Sequence, residues 1–136
     1  TATGYAKLYF HLCDEKSVDN VLLDKEVFGA HTTFNGDNNL LVRTFGETNK
    51  NLIFKEFDGR ISYQTDRKYE QRKSYAVVMR KPDNSPVRYI TVLYPVRSAT
   101  GHTIEGQFKE IGNKDNVSIN IKIDGRSYDL NYNLNE

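Results

Sequence analysis

The feature that most constrains this chain lies near its end, where VSINIKIDGRSYDLNY combines strict alternation with a turn dipeptide. Apolar residues occupy every second position from Val117 to Ile123, which places them on one face of a strand. Asp124-Gly125 follows directly, and this pair supplies the two positive φ angles of a type I′ turn. One register then brings the apolar residues of both strands together. Its pairs are Ile123 with Arg126, Ile121 with Tyr128, Ile119 with Leu130, and Val117 with Tyr132.

The rest of the chain also favours strands over helices. Nine tyrosines and seven phenylalanines stand against one methionine, a balance typical of β-structure. The further predicted strands are Tyr5 to Leu12, Val21 to Leu23, Val27 to Phe28, Leu40 to Phe45, Leu52 to Phe57, Ser74 to Arg80, Arg88 to Tyr94 and Ile104 to Glu110. Turn-forming residues separate them at 35–39, 58–59, 81–86 and 112–116. This spacing indicates an antiparallel sandwich or barrel, and we expect an all-β antiparallel sandwich of about 8–10 short strands.

The segment from Asp66 to Lys73 is the one stretch with a helical composition. Its charged and amide residues show no apolar periodicity, so a helix there has no face to bury. We therefore interpret it as a polar connection or as an exposed, charged strand edge, which discourages edge-to-edge pairing.

Length and composition limit the function classes. A chain of 136 residues can bury a core without staples, and we expect one β-sandwich domain over 1–136. The start at Thr1 rather than methionine favours a fragment of a longer protein. A net charge of +1 demands no polyelectrolyte partner, and no apolar run suits a membrane helix. The sequence contains no phosphate-loop, dinucleotide, nucleophile-elbow or paired-cysteine zinc motif.

His11 and the single cysteine, Cys13, lie two positions apart in a predicted strand and so share a face. Imidazole and thiolate both bind zinc, but two donors do not make a structural site, which needs four. The alternative is a half-buried strand histidine beside an inert thiol. His31 and His102 lie in turn-rich segments and could join such a site only through long-range folding.

The stretch from Arg60 to Lys81 combines basic and aromatic residues. Seven cations, Arg60, Arg67, Lys68, Arg72, Lys73, Arg80 and Lys81, alternate with Tyr63, Tyr69 and Tyr75. Cations beside aromatic rings suit an anionic polymer, because the cation binds a carboxylate or sulfate and the ring packs on a sugar or base. A solvated sheet face explains the same residues.

Five pieces of the chain together resemble the C-terminal β-sandwich region of the heparinase II/III-like polysaccharide lyases. They are YFHLCDEKSVD, NNLLVRTFG, GRISYQTDRKYEQRKSYAVV, RYITVLYPV and the hairpin IKIDGRSYDLNY. Each piece is a weak signal alone, and their order and spacing carry the resemblance over nearly the whole chain.

The resemblance implies a larger parent enzyme with an N-terminal helical toroid followed by a β-sandwich. Such enzymes cleave uronic-acid polysaccharides of the heparin or heparan sulfate type by β-elimination. A base removes the proton next to the carboxylate, and an acid protonates the leaving oxygen. The family's catalytic residues lie on the toroid and early in the β region, and none of their motifs matches this chain. We therefore expect no catalytic residue here, no activity of the chain alone, and a secreted or periplasmic parent with no membrane span and no nucleic-acid partner.

The resemblance also bears on the candidate site residues. Arg67, Lys68, Tyr69 and Arg72 become candidates for contact with an acidic polysaccharide. Some members hold a structural zinc in the β region, so His11 is a candidate ligand whose partners would lie upstream of Thr1. We expect no cofactor in this chain itself, and Cys13 matches no family ligand. A stand-alone carbohydrate-binding module and a protein-interaction sandwich are the alternatives.

Overall fold

A computed structural model describes residues 4–12, 20–35, 38–46, 52–62, 69–81, 88–109, 115–133 and 135. These residues contain ten strands, and a 3₁₀ turn, Lys25–Val27, lies between the second and third strands. The strands are β1 (Gly4–Leu12), β2 (Val21–Asp24), β3 (Gly29–Thr32), β4 (Asn39–Gly46), β5 (Leu52–Ser62), β6 (Tyr69–Lys81), β7 (Tyr89–Val96), β8 (Ile104–Phe108), β9 (Asn116–Ile123) and β10 (Arg126–Asn133). The prediction of an all-β fold is confirmed. None of the described residues forms a helix long and apolar enough to cross a membrane.

The strands form three antiparallel sheets. Sheet I has the order β1-β6-β5, sheet II the order β2-β3-β4-β7, and sheet III the order β10-β9-β8. Sheet II shares one apolar cluster with sheet I and another with sheet III. The two interfaces give the packed sheets of an antiparallel sandwich, as predicted.

The cluster between sheets I and II is built around Tyr75 of β6. Its ring stacks between Phe10 and Phe54, with centroid distances of 4.7 and 4.8 Å. Tyr89 of sheet II links the two sheets, because its hydroxyl accepts a hydrogen bond from the backbone N–H of Met79 at 3.0 Å. Burial raises the pKa of the Tyr89 hydroxyl, which keeps it neutral.

The cluster between sheets II and III contains the alternating residues of β9. Its buried members are Ile90, Val117, Ile119 and Ile121. Phe45 of β4 packs against this cluster and lies over Gly106 of β8. The alternating pattern of β9 therefore predicted the residues that sheet III contributes from this strand, and not their partners in sheet II.

The predicted hairpin is confirmed residue by residue. Arg126 pairs with Ile123 and Tyr132 with Val117, with the two intermediate pairs as expected. Asp124 and Gly125 have φ angles of 48° and 82°, the positive pair that a type I′ turn requires.

The predicted short strand Val27 to Phe28 is wrong. Lys25–Val27 is a 3₁₀ turn, and Phe28 adopts a left-handed backbone with φ of 48°. β3 begins at Gly29, where an added Cβ would clash with the carbonyl oxygen of Val42. Glycine is required for that close approach of β3 to β4, and the apolar residues just before it misplaced the strand.

The predicted turn at Asp58-Gly59 is also wrong. Both residues lie within β5, where they pair with Lys73 and Arg72 of β6. Cross-strand pairing overrides the local turn preference, so the hairpin extends further than predicted. The segment that joins the two strands, 63–68, lies outside the described residues.

The charged stretch before Ser74 belongs largely to β6 rather than to a connection. Tyr69–Lys73 pairs with β5, whereas the described pairing with β1 ends where Leu12 lies opposite Lys73. Residues 13–19, which follow β1, lie outside the described residues. Tyr69–Lys73 is therefore strand rather than a connection, and its interpretation as an exposed, charged edge stays a prediction.

We predict that Gly106→Ala destabilises the protein by about 1–3 kcal/mol through overpacking. An added Cβ would lie 2.6–2.9 Å from ring atoms of Phe45, so sheets II and III must separate or the ring must move. Equilibrium urea unfolding measures the effect, with Glu105→Ala on the exposed side of the same strand as the control. An unchanged unfolding midpoint for Gly106→Ala would contradict this packing.

Candidate functional site

The predicted substrate-binding residues belong to the β5–β6 hairpin. Tyr69 and Arg72 are in β6, and their backbone positions pair with Ser62 and Gly59. Arg67 and Lys68 lie outside the described residues. The pairing of β5 with β6 places both ends of the basic stretch from Arg60 to Lys81 on one hairpin. A role of this stretch in binding remains a prediction.

The predicted metal candidates are not brought together by the described part of the chain. His11 lies in β1 opposite Ser74, and Cys13 is outside the described residues. His31 is in β3, opposite Leu22 and Leu41, and its buried Nδ1 has no hydrogen-bond partner in the described part of the chain. Within the described ranges, no group of three or more His, Cys, Asp or Glu residues could hold a metal ion. The zinc role of His11 stays a prediction.

Sequence reasoning missed a polar centre at one end of sheet II, built on Asn39. This residue is the first of β4 and is 6% exposed. Its Oδ1 accepts hydrogen bonds from the Thr32 hydroxyl at 3.0 Å and from the Phe34 N–H at 2.7 Å. Its Nδ2 donates to the carbonyl oxygens of Phe34 at 3.2 Å and Arg97 at 2.9 Å. One side-chain amide therefore ties the β3–β4 connection to the end of β7, 58 residues away.

A shallow groove lies beside this amide, and we call it the Phe34–Arg97 groove. It has a volume of about 550 Å³ and is lined by Thr32, Phe34, Asn38, Asn39, Leu40, Pro95, Val96 and Arg97. Phe34 is half-buried and Arg97 is exposed. An aromatic residue, an aliphatic floor and one cation can together bind a small amphipathic anion.

His102 and Asp124 form a second polar centre, at the tip of the β9–β10 hairpin. The His102 Nδ1–H donates to Asp124 Oδ2 at 2.8 Å, and the Thr103 N–H donates to Asp124 Oδ1 at 2.9 Å. These two bonds lower the pKa of the Asp124 carboxyl from its ordinary value of 3.8. The His102 ring also meets Tyr94 edge-on at 5.8 Å. Both partners are half-buried or exposed, and the pair fixes the β7–β8 connection to the turn.

A third centre, the side chain of Arg43, lies inside sheet II. Its Nη1 donates to the carbonyl oxygens of Val42 at 2.9 Å and Ala30 at 3.3 Å, and its Nη2 lies 3.9 Å from Asp24. Burial lowers the pKa of the Arg43 guanidinium, and the Asp24 carboxylate opposes that shift. The nearby Tyr75 hydroxyl is buried and has no hydrogen-bond partner among the described residues, and burial raises its pKa. The contacts of Arg43 join β2, β3 and β4 within sheet II.

None of these three centres could be found from the sequence. Asn39 meets Arg97, His102 meets Asp124, and Arg43 meets Asp24 only after folding. Asn39 lies in a turn-rich stretch and Asp124 belongs to a turn dipeptide. Turn formation accounts for both residues, so the sequence gives no separate sign of their long-range contacts. Long-range partners of single polar residues leave no local pattern.

Comparisons with known proteins show that the chain is similar to part of several lyases. No protein-family model matches it. A heparin-sulfate lyase of Bacteroides thetaiotaomicron is 37% identical over 135 residues, which cover 98% of this chain and 19% of that protein. A heparin-sulfate lyase of Bacteroides stercoris is 28% identical over 105 residues, covering 76% of this chain and 15% of that protein.

The fold agrees with the sequence comparison. A crystal structure of heparinase III has a TM-score of 0.84 and 36% identity, covering 98% of this chain and 20% of that chain. The predicted resemblance to the heparinase II/III-like lyases is confirmed, and the chain spans about a fifth of the length of these proteins.

We predict that the His102–Asp124 pair makes stability depend on pH in the acidic range. Because the folded state lowers the pKa of Asp124, its stabilisation is complete above pH 3.8 and is lost as the pH falls below that value. Asp124→Asn removes this titration, and Asn still tolerates the positive φ of the turn.

The test is the urea unfolding midpoint of both proteins between about pH 6 and pH 2. The advantage of the unsubstituted chain over Asp124→Asn should shrink as the solution is acidified. Parallel pH profiles would mean that the pair does not stabilise the fold.

Proposed function

We propose that residues 1–136 are the C-terminal β-sandwich domain of a larger polysaccharide lyase. The parent would cleave uronic-acid polysaccharides of the heparin or heparan sulfate type by β-elimination. The observation that carries the proposal is the identity of 37% over 98% of this chain to a heparin-sulfate lyase of which it matches only 19%. A stretch that matches a fifth of an enzyme over its own whole length is best explained as one part of such an enzyme.

In this proposal the chain has a structural or substrate-supporting role. The described polar centres are used in packing: Arg43 binds backbone carbonyls and Asp24, and His102 binds Asp124. β-Elimination needs a base at the proton next to the carboxylate and an acid at the leaving oxygen. Those groups would come from the rest of the parent, including an N-terminal helical toroid, and the parent would act in the periplasm or outside the cell.

The hairpin of β5 and β6 would contribute the substrate-facing cations of this domain. Tyr69 and Arg72 lie in β6, which pairs with β5, and Arg67 and Lys68 precede them in the sequence. Arginine residues close together on a hairpin suit sulfate and carboxylate groups, because a guanidinium binds both bidentately.

We predict that the 136-residue chain alone does not cleave heparan sulfate, whereas the full-length gene product does. The assay is the ultraviolet absorbance of the unsaturated uronate that β-elimination creates. Cleavage by the isolated chain would refute its non-catalytic role. A complete reading frame of this length would refute the existence of a parent and favour a stand-alone binding module.

We also predict that Arg67→Ala combined with Arg72→Ala weakens binding of heparan sulfate to the chain by about tenfold at low salt. Two cations that bind sulfate or carboxylate are lost, and isothermal calorimetry measures the affinity. The control is Lys7→Ala with Lys55→Ala, which removes the same charge from two exposed positions of sheet I. Equal affinity of the two double variants would contradict a specific role of Arg67 and Arg72 in binding.

A further inference from the structure

We propose that the Phe34–Arg97 groove is a binding subsite for one acidic sugar residue, a pyranose ring that carries a carboxylate or a sulfate. The class of ligand rests on the proposed function, whereas the location rests on the geometry of the groove. This subsite is separate from the β5–β6 hairpin, because it lies at the connections that join β3 to β4 and β7 to β8.

Arg97 provides the charge that such a ligand needs. Its side chain is exposed at the end of β7, and no hydrogen bond or ion pair engages its guanidinium within the described residues. Arg43 inside sheet II differs, since its guanidinium is bound to carbonyl oxygens and to Asp24. A free guanidinium at a groove can bind a carboxylate or sulfate through two parallel hydrogen bonds.

The remaining lining suits a sugar ring rather than a bare inorganic ion. Phe34, Leu40, Pro95 and Val96 supply apolar surface, and Asn38 supplies an exposed amide. Sugar rings present C–H groups on their faces and hydroxyl groups around their rims. The described lining includes one cation, Arg97, which favours an acidic sugar over a neutral one.

The groove is held in shape before any ligand arrives. Asn39 bonds both backbone groups of Phe34 and the carbonyl oxygen of Arg97, so one buried amide sets the spacing of the two main binding residues. The described hydrogen bonds of Asn39 use both the oxygen and the nitrogen of its amide. Such preorganisation reduces the entropy lost on binding. The volume of about 550 Å³ falls within the range of small-molecule sites.

The test is a titration of the ¹⁵N-labelled chain with a size-defined heparan sulfate oligosaccharide, followed by NMR, with affinities from calorimetry. The variants are Arg97→Ala and Phe34→Leu, and the matched control is Arg126→Ala, an exposed arginine at the β9–β10 turn. The NMR spectrum of each variant verifies its fold before titration. A neutral oligosaccharide of equal length tests the need for an acidic group.

We expect shift changes at residues that line the groove, and about tenfold weaker binding for Arg97→Ala, the loss expected for one charge-assisted contact. Phe34→Leu should weaken binding by about threefold and Arg126→Ala by less than about twofold. The neutral sugar should bind far more weakly than the acidic one.

Equal losses for Arg97→Ala and Arg126→Ala would overturn the subsite, because non-specific charge attraction alone would explain the binding. Shift changes confined to β5 and β6 would also overturn it, and would leave the hairpin as the contact. Absence of binding to the acidic sugar would overturn the subsite but not the proposed function, which is tested by the activity of the full-length protein.

Discussion

The fold depends on the burial of β4, which lies in the sheet shared by both apolar clusters. Six of its eight residues are buried, including Asn39, Arg43 and Thr44. A buried polar group destabilises the fold unless it is hydrogen-bonded. Asn39 and Arg43 bond to backbone groups of neighbouring segments, and the Thr44 and Thr91 hydroxyls lie 3.3 Å apart. The polar residues of β4 are thus paired inside the fold, while its Phe45 packs against the cluster shared with sheet III.

The candidate subsite follows from the same constraint. Because Asn39 begins β4, the hydrogen bonds that bury it also fix the two connections that line the Phe34–Arg97 groove. Further along the same β7–β8 connection, the His102–Asp124 pair attaches the path from sheet II to sheet III to the hairpin turn. Hydrogen bonds therefore fix this connection at both of its ends. Side chains held in this way are positioned before a ligand binds.

The proposed role as a supporting domain agrees with how the chain uses its polar residues. Each described polar centre joins segments that are distant in sequence, and those of Asn39 and Arg43 are buried. A domain of this kind can present cations to a polymer without performing chemistry on it. Similarity to lyases five times longer is consistent with that division of labour, in which the catalytic groups lie elsewhere in the protein.

The sequence by itself determined the strand class, the β9–β10 hairpin with its register, and the likeness to heparinase II/III-like lyases. Alternation and turn dipeptides act over a few residues, so Val117–Ile123 and Asp124-Gly125 could be interpreted locally. The same local rules failed at Asp58-Gly59 and at Val27–Phe28, where strand pairing and the close approach at Gly29 prevailed. Only the tertiary structure decided that Asn39 meets Arg97 and that His102 meets Asp124, because contacts between residues far apart in the chain depend on how the sheets pack.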